Sequence, residues 1–219
     1  YTYGRWYTIK GQHPSDETGT YRYKFDAPKS WAGQRIKIFF DGVMTDAEIM
    51  INGKPAGEMH QGGFYRFNYD ITELLNLGKK NQLEVKVAKE SANRSINAAE
   101  RKADWWLFGG IYRPVWLEVL PQIHMEHFVL NADHQGKLQA AVDMAGDAKG
   151  HEIIVSVRSL KDGKTVYTSN GQTTITHSIS NSDKEQMISG EWASIIPWST
   201  ENPNLYVAKL ELKNPEGKI

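Results

Sequence analysis

The sequence predicts an all-β chain built as two β-sandwiches, and two observations carry that reading. Apolar and polar side chains alternate over short runs with no 3.6-residue stripe, and turn signals recur about every ten residues. Residues 35–40, 82–87 and 115–119 each place apolar side chains on one face of a pleated strand. Glu48-Ile49-Met50-Ile51 leads into Asn52-Gly53, a pair that tolerates positive φ at both centres of a type I′ turn, so a hairpin is expected there. One short helical turn is expected over residues 70–75, with Asp70 as the cap, Glu73 closing a capping box and Gly78 where the chain leaves the left-handed region. Little other helix is expected. In the second half, residues 123–130 and 153–157, a turn at Asp162-Gly163, Val166-Tyr167, residues 173–179 and the alternation Tyr206, Ala208, Leu210, Leu212 repeat the β pattern. A boundary is expected near Pro121, where one strand ends and aromatic-rich sequence gives way to a Ser, Thr, Asp and Asn-rich stretch. The domains are therefore 1–121 and 122–219.

Composition excludes several function classes. The 219 residues hold 26 Lys plus Arg against 26 Asp plus Glu, so no broad electrostatic footprint exists for nucleic acid or an anionic membrane. No apolar run approaches the roughly 20 residues needed to cross a bilayer. Zero Cys removes disulfides, thiolate metal sites and a cysteine nucleophile. His124 and His127 lie three apart, and in a strand they point to opposite faces, which defeats a two-ligand clamp. No metal or cofactor is expected. The chain begins at Tyr1 with no signal-peptide pattern, which reads as a processed protein or a cut segment, and a periplasmic or secreted location is favoured. Asn93-Arg94-Ser95 fits the glycosylation acceptor pattern, which has meaning only in a eukaryotic secretory setting.

Three segments, in order and at the right spacing, are far more specific. Asp41-Gly42-Val43 followed by Ala47-Glu48-Ile49 and Asn52-Gly53-Lys54 resembles the F-x-G-V-x-x-x-A-x-V-x-x-N-G run of the sugar-binding domain in glycoside hydrolase family 2. Gly62-Gly63-Phe64 and Phe67-Asn68-Tyr69-Asp70-Ile71-Thr72 resemble its continuation, and Asp104-Trp105-Trp106 with Gly109-Gly110-Ile111-Tyr112-Arg113-Pro114-Val115 resembles its closing signature. More thinly, Trp198-Ser199-Thr200-Glu201-Asn202-Pro203-Asn204-Leu205-Tyr206 is similar to the run ending the family's immunoglobulin-like domain, just before its catalytic barrel. The resemblance implies a galactose-binding-like jelly-roll over 1–121 and an immunoglobulin-like sandwich over 122–219. In the family, the catalytic acid/base and nucleophile are two glutamates on a (β/α)₈ barrel of roughly 250 residues. Only thirteen residues follow Tyr206, so the barrel is expected beyond Ile219 and this segment is expected to hold no catalytic residue.

By the same resemblance, Asp104 reaches the active site of the family's β-galactosidases and accepts substrate hydroxyls, a job that suits an ionised carboxylate in a concave site. A loop Asp bonded to neighbouring amides is the alternative. Asp16 stands where many relatives carry an Asn of the substrate pocket. A carboxylate only accepts where an amide also donates, so the preferred hydroxyl pattern differs, and a turn-forming Asp is the alternative. Trp105, Trp106, Trp6 and Trp31 can stack on a pyranose ring or pack in a core or domain interface. Arg113, at the entry to a strand, is expected to tie loop carbonyls or a carboxylate. A retaining glycosidase needs two carboxylates about 5 to 5.5 Å apart. Neither Asp16-Glu17 nor Glu100 with Asp104 offers the rigid opposed geometry of barrel strand ends.

These residues point to the accessory region of a hydrolase acting on O-glycosyl bonds of β-linked carbohydrates, partnered by a carbohydrate substrate and a catalytic barrel on the same polypeptide. Two other classes stay open. One is a free-standing carbohydrate-binding module, and the other is an adhesion or scaffolding pair of sandwiches with no sugar ligand.

Overall fold

The alternation read from residues 35–40, 82–87 and 115–119 is realised as three core strands of the first half. The computed structural model describes residues 18–100 and 109–219, and the chain divides into two compact units at Pro121.

Unit one contains β1 (Thr18–Ala27), β2 (Arg35–Phe40), β3 (Val43–Met44), β4 (Asp46–Ile51), β5 (Lys54–Pro55), β6 (Phe67–Asp70), β7 (Lys79–Ala88), α1 (Arg94–Glu100), β8 (Gly110–Ile111) and β9 (Val115–Leu120). They form an antiparallel sheet in the order β1-β7-β4-β5, a second in the order β6-β2-β9, and the small pair β3-β8. Register explains the burial. Tyr21, Val85 and Ile49 make one cross-strand row, while Tyr69, Ile38 and Leu117 make another on the opposing sheet. Both rows pack into one core with Ile36, Phe40, Ile51, Ile71 and Val87. Burying each such aliphatic or aromatic side chain contributes about 1.5–3 kcal/mol as an upper bound.

Turn chemistry sets the hairpin. Asn52 and Gly53 have φ of 52° and 78°, as a type I′ turn requires. Asn52 also donates from Nδ2 to the Leu74 carbonyl at 2.9 Å and accepts from the Gln82 amide at 2.9 Å, so the turn is bonded to two other segments.

Two local expectations need correction. The helical turn after Asp70 is a single 3₁₀ turn, Thr72–Leu74. Asp70 accepts from the Thr72 amide at 3.0 Å and from Arg35 Nε at 2.6 Å. Burial would raise its carboxyl pKa, but the Thr72 and Arg35 bonds outweigh it and hold it below the usual range. The capping box does not form among the described residues, because the turn begins one residue later than expected, with Ile71 at the N-cap, so Glu73 stands at N2 rather than at the N3 position the box requires. The second correction is α1, a helix the alternation gave no sign of. Asn93 caps it by accepting from the Ser95 amide at 2.9 Å, the same Asn that heads the glycosylation pattern.

Unit two contains β10 (His124–Ala132), β11 (Lys137–Ala145), β12 (Glu152–Ser159), β13 (Thr165–Val166), β14 (Thr174–Ser178), β15 (Glu185–Glu191) and β16 (Tyr206–Lys213). One sheet runs β10-β11-β15, and the other centres on β12, which pairs with β13, β14 and β16. Ala140, Val142, Ile153, Val155 and Ile188 lie in its core. Strands β11 and β15 escaped the sequence reading. In β15 only Gln186 and Ile188 are buried, which is too sparse a pattern to register as alternation. Gly190 follows on the same face, where a Cβ would fall 1.8 Å from Ile175 Cδ1. His124 is buried and lies 2.9 Å from Glu126, whereas His127 is exposed, with a bulge between Met125 and His127. Among the described residues no group of three His, Asp or Glu side chains could hold a metal ion.

Candidate functional site

Asp16, Trp6, Asp104, Trp105 and Trp106 lie outside the described residues. The structure does define the two anchors that bracket residues 101–108 along the chain. On the entering side, α1 ends at Glu100, whose Oε1 and Oε2 both accept from the Gly63 amide at 3.0 Å. On the leaving side, β8 pairs Gly110 with Met44 and Ile111 with Val43, and Tyr112 then donates its hydroxyl to the Gly63 carbonyl. A single residue, Gly63, therefore bonds to the chain on both sides of residues 101–108.

The backbone at Gly62 demands glycine, and Gly63 lies in close contact with its neighbours. Gly62 has φ of +113°, and a Cβ there would fall 2.0 Å from the Tyr65 hydroxyl. At Gly63 a Cβ would fall 2.8 Å from Met44 Cε.

Behind the junction a polar network fixes α1 despite its seven residues. Asp46 is only 4% exposed, and its Oδ2 accepts from Gln61 Nε2 at 3.0 Å and from the Ala92 amide at 2.8 Å. Asn97 accepts from the Ser91 amide at 2.8 Å and donates to the Ser91 carbonyl at 2.6 Å, closing a ring between helix and preceding turn. Each bond contributes on the order of 1 kcal/mol net, and loss of one partner inside the cluster would cost more.

His60 completes the junction. Its ring stacks on Phe67 at 3.6 Å and meets Tyr65 edge-on at 5.4 Å. Nε2 lies 2.9 Å from the Gly62 carbonyl, which only accepts, so this nitrogen carries the proton. Burial lowers the His60 pKa below its ordinary 6.5, against the opposing pull of the Gly62 carbonyl, Glu100 and Asp46. The unfolded chain then takes up the second imidazole proton before the folded one does, so stability is full above pH 6.5 and declines as pH falls through the lowered folded value. Urea titrations across about pH 7.5 to 5 should show the loss, and His60→Gln, which keeps a donor but cannot titrate, should flatten that part of the profile. Parallel profiles for the two proteins would assign the acid sensitivity elsewhere.

The remaining candidates fall as follows. Trp31 is half-buried and packs against the core of unit one. Arg113 ties no carboxylate or loop carbonyl among the described residues. Its Cζ sits 5.6 Å from the Tyr112 ring centroid, a cation–π contact in place of the expected fork. Asp41 takes the carboxylate role there instead, accepting from Arg66 Nε at 2.6 Å and from Trp116 Nε1 at 3.3 Å. Glu100 and Gly63 were missed as a pair, and only the repeated glycine gave a signal that backbone packs closely at that point.

This arrangement can hold a segment in place, and the described carboxylates of the junction are engaged as acceptors. Comparison with known proteins agrees with the geometry. The model for the family 2 glycosyl hydrolase sugar binding domain matches residues 6–121, and the model for glycosyl hydrolases family 2 matches residues 123–219. A beta-galactosidase of Thermoanaerobacter pseudethanolicus is 28% identical over 88% of this chain and 25% of its own length. A putative beta-glucuronidase of Formosa agariphila is 31% identical over 89% of this chain and 18% of its own length. Among solved structures, a Bacteroides uniformis beta-glucuronidase superposes with a TM-score of 0.72 at 26% identity, covering 91% of this chain and 24% of that one. The chain thus spans about a quarter or less of the length of the two curated relatives named. It belongs to glycosyl hydrolases family 2, with that family's sugar binding domain over residues 6–121.

Proposed function

We propose that this chain is the accessory region of a family 2 glycosidase that hydrolyses β-linked O-glycosides, and that it completes a substrate pocket whose acid/base and nucleophile lie on a catalytic barrel of the same polypeptide. Residues 1–121 form the sugar-binding jelly-roll, and residues 122–219 form the immunoglobulin-like spacer. Asp104 accepts hydrogen bonds from sugar hydroxyls, Trp105 and Trp106 face the ring, and Asp16 contributes a second acceptor.

The observation that carries this reading is the double anchoring at Gly63. A carboxylate aimed at a substrate must be held within a fraction of an ångström of its working position, and that needs support outside the contacting segment itself. Glu100 before the segment and Tyr112 after it both bond to Gly63, an arrangement that suits such support. The relatives bear the names beta-galactosidase and beta-glucuronidase, so the sugar is a β-galactoside, a β-glucuronide or a near analogue.

The purified 219-residue chain should turn over no member of a nitrophenyl β-glycoside panel. The same panel should be cleaved once the chain is joined to a family 2 barrel. Turnover by the chain alone that survives further purification would overturn the assignment of the chemistry to a separate domain.

A further inference from the structure

We propose that β16 is an acceptor edge, taken by a further strand of the same polypeptide that continues from Lys218 antiparallel to β16 and closes an apolar cavity in unit two. This shares with the proposed function only that the polypeptide extends past residue 219, and it is independent of the role proposed for Asp104.

The ladder defines the free edge. Residues 152–156 of β12 pair with β14 and with β16 at once, so both edges of β12 are taken. Among the described residues β16 pairs with β12 alone, and its second edge presents a row of backbone donors and acceptors for another strand.

Burial marks the same side of the sandwich. Ile153 and Val155 of β12 are fully buried, whereas their β16 partners Leu212 and Leu210 pack on the same core but are only partly buried. Ala208 and Tyr206 continue that row and are also only partly buried. On the facing sheet, Phe128 of the edge strand β10 pairs with the fully buried Val142, so its ring belongs on the inner face, yet it is 50% exposed. Between β10 and β16 the sheets part around a cavity of about 280 Å³, lined by Leu130, Leu138, Val157, Ile195, Tyr206 and Ala208 among others. An opening of that kind forfeits dispersion contacts along its walls, against the close packing of native cores.

The turn after β16 identifies the occupant. The Asn214 amide donates to the Lys218 carbonyl at 2.8 Å, and the Gly217 amide donates to the Asn214 carbonyl at 2.9 Å. Asn214 Oδ1 also accepts from the Glu216 and Lys218 amides at 3.1 and 2.8 Å. With Pro215 at the first central position and Gly217 at φ of 85°, this is a type I turn followed by a left-handed residue, the three-residue loop of a β-hairpin. Such a loop returns the chain beside the strand it has just left, and Asn214–Lys218 is the first rung of the new ladder. Since β12 has no edge to give, the returning strand takes the free edge of β16. Carrying that rung along the ladder sets positions 220, 222, 224 and 226 opposite Leu212, Leu210, Ala208 and Tyr206, on the core face. The last two lie over the cavity. The chain matches a quarter or less of the two curated relatives named, so one further strand needs only a small fraction of their remaining length.

The test extends the 219-residue chain by eight residues, with Val at positions 220, 222, 224 and 226 and Thr between them. A second extension of the same composition has the opposite phase, which turns the Val side chains to solvent. Amide hydrogen exchange is read along β16, where alternate amides point to the free edge. The first extension should slow those amides at least about tenfold and raise the urea midpoint, and the second should protect them less. In the first extended chain Gly217→Val strains the turn and should erase the gain, while the unextended chain tolerates it. Absence of protection with the first extension, equal protection with both phases, or a gain that survives Gly217→Val would overturn the proposal. Protection of the same amides in the unextended chain, with dimerisation in sedimentation, would assign the edge to a second copy and overturn it too. None of these readouts uses a glycoside, so failure here is distinct from failure of the nitrophenyl panel.

Discussion

Phe40→Ala should lower the unfolding free energy of the 219-residue chain by about 3–5 kcal/mol, measured as a fall in urea midpoint at unchanged m-value. Phe40 is fully buried at the end of β2, the central strand of its sheet, and its ring stacks on Phe67 at 4.9 Å with planes 5° apart. Truncation removes transfer free energy and leaves a cavity between two sheets that cannot close up freely. Phe39 is the natural control. It points to the other face and stacks on Trp116 at 4.3 Å, where it is only half-buried. Phe39→Ala should therefore cost less, since solvent can fill the space that the ring leaves. An equal loss for both would mean that the two faces of β2 are not core and surface as the register has them.

The second large effect concerns function. In an enzyme that joins this chain to its barrel, Asp104→Asn should lower kcat/KM by about one to two orders of magnitude, because a hydrogen bond to a charged group is worth about 1.5–3 kcal/mol. Stability of the 219-residue chain should change by less than about 0.5 kcal/mol, as for a side chain free of special contacts. The opposite pattern, several kcal/mol of lost stability with unchanged kinetics, would make Asp104 a structural anchor. The pocket assignment would then fall.

The difference between Glu100 and Asp104 shows why both readouts are needed. Both are acidic and lie four residues apart, but only Asp104 sits in the closing signature that implies a substrate role. The Glu100 carboxylate is committed to the Gly63 amide through both oxygens, so substitution there acts on the fold of the junction first. Only a split between stability and kcat/KM separates a group that touches substrate from one that holds the segment in place.

Local chemistry was legible in the sequence. Alternation over β2, β7, β9, β12 and β16 follows from the two-residue period of a pleated strand, and Asn52-Gly53 follows from the φ values a tight hairpin demands. The spacing of the three motifs led to the family. What the tertiary structure decided rests on contacts between distant residues. Gly63 meets Glu100 and Tyr112 across sequence separations of 37 and 49, and Asp46 meets the Ala92 amide across 46. Lys37 is 6% exposed on the nominally outer face of β2, opposite Glu118 and Asp70 across the ladder. Helix α1 has no apolar stripe to reveal it, and its place is fixed by bonds from Asn97 and the Ser91 turn. Periodicity specifies which face a side chain takes within its own strand. Whether that face ends up covered, and by which donor or acceptor, depends on loops that only the assembled sheets bring together.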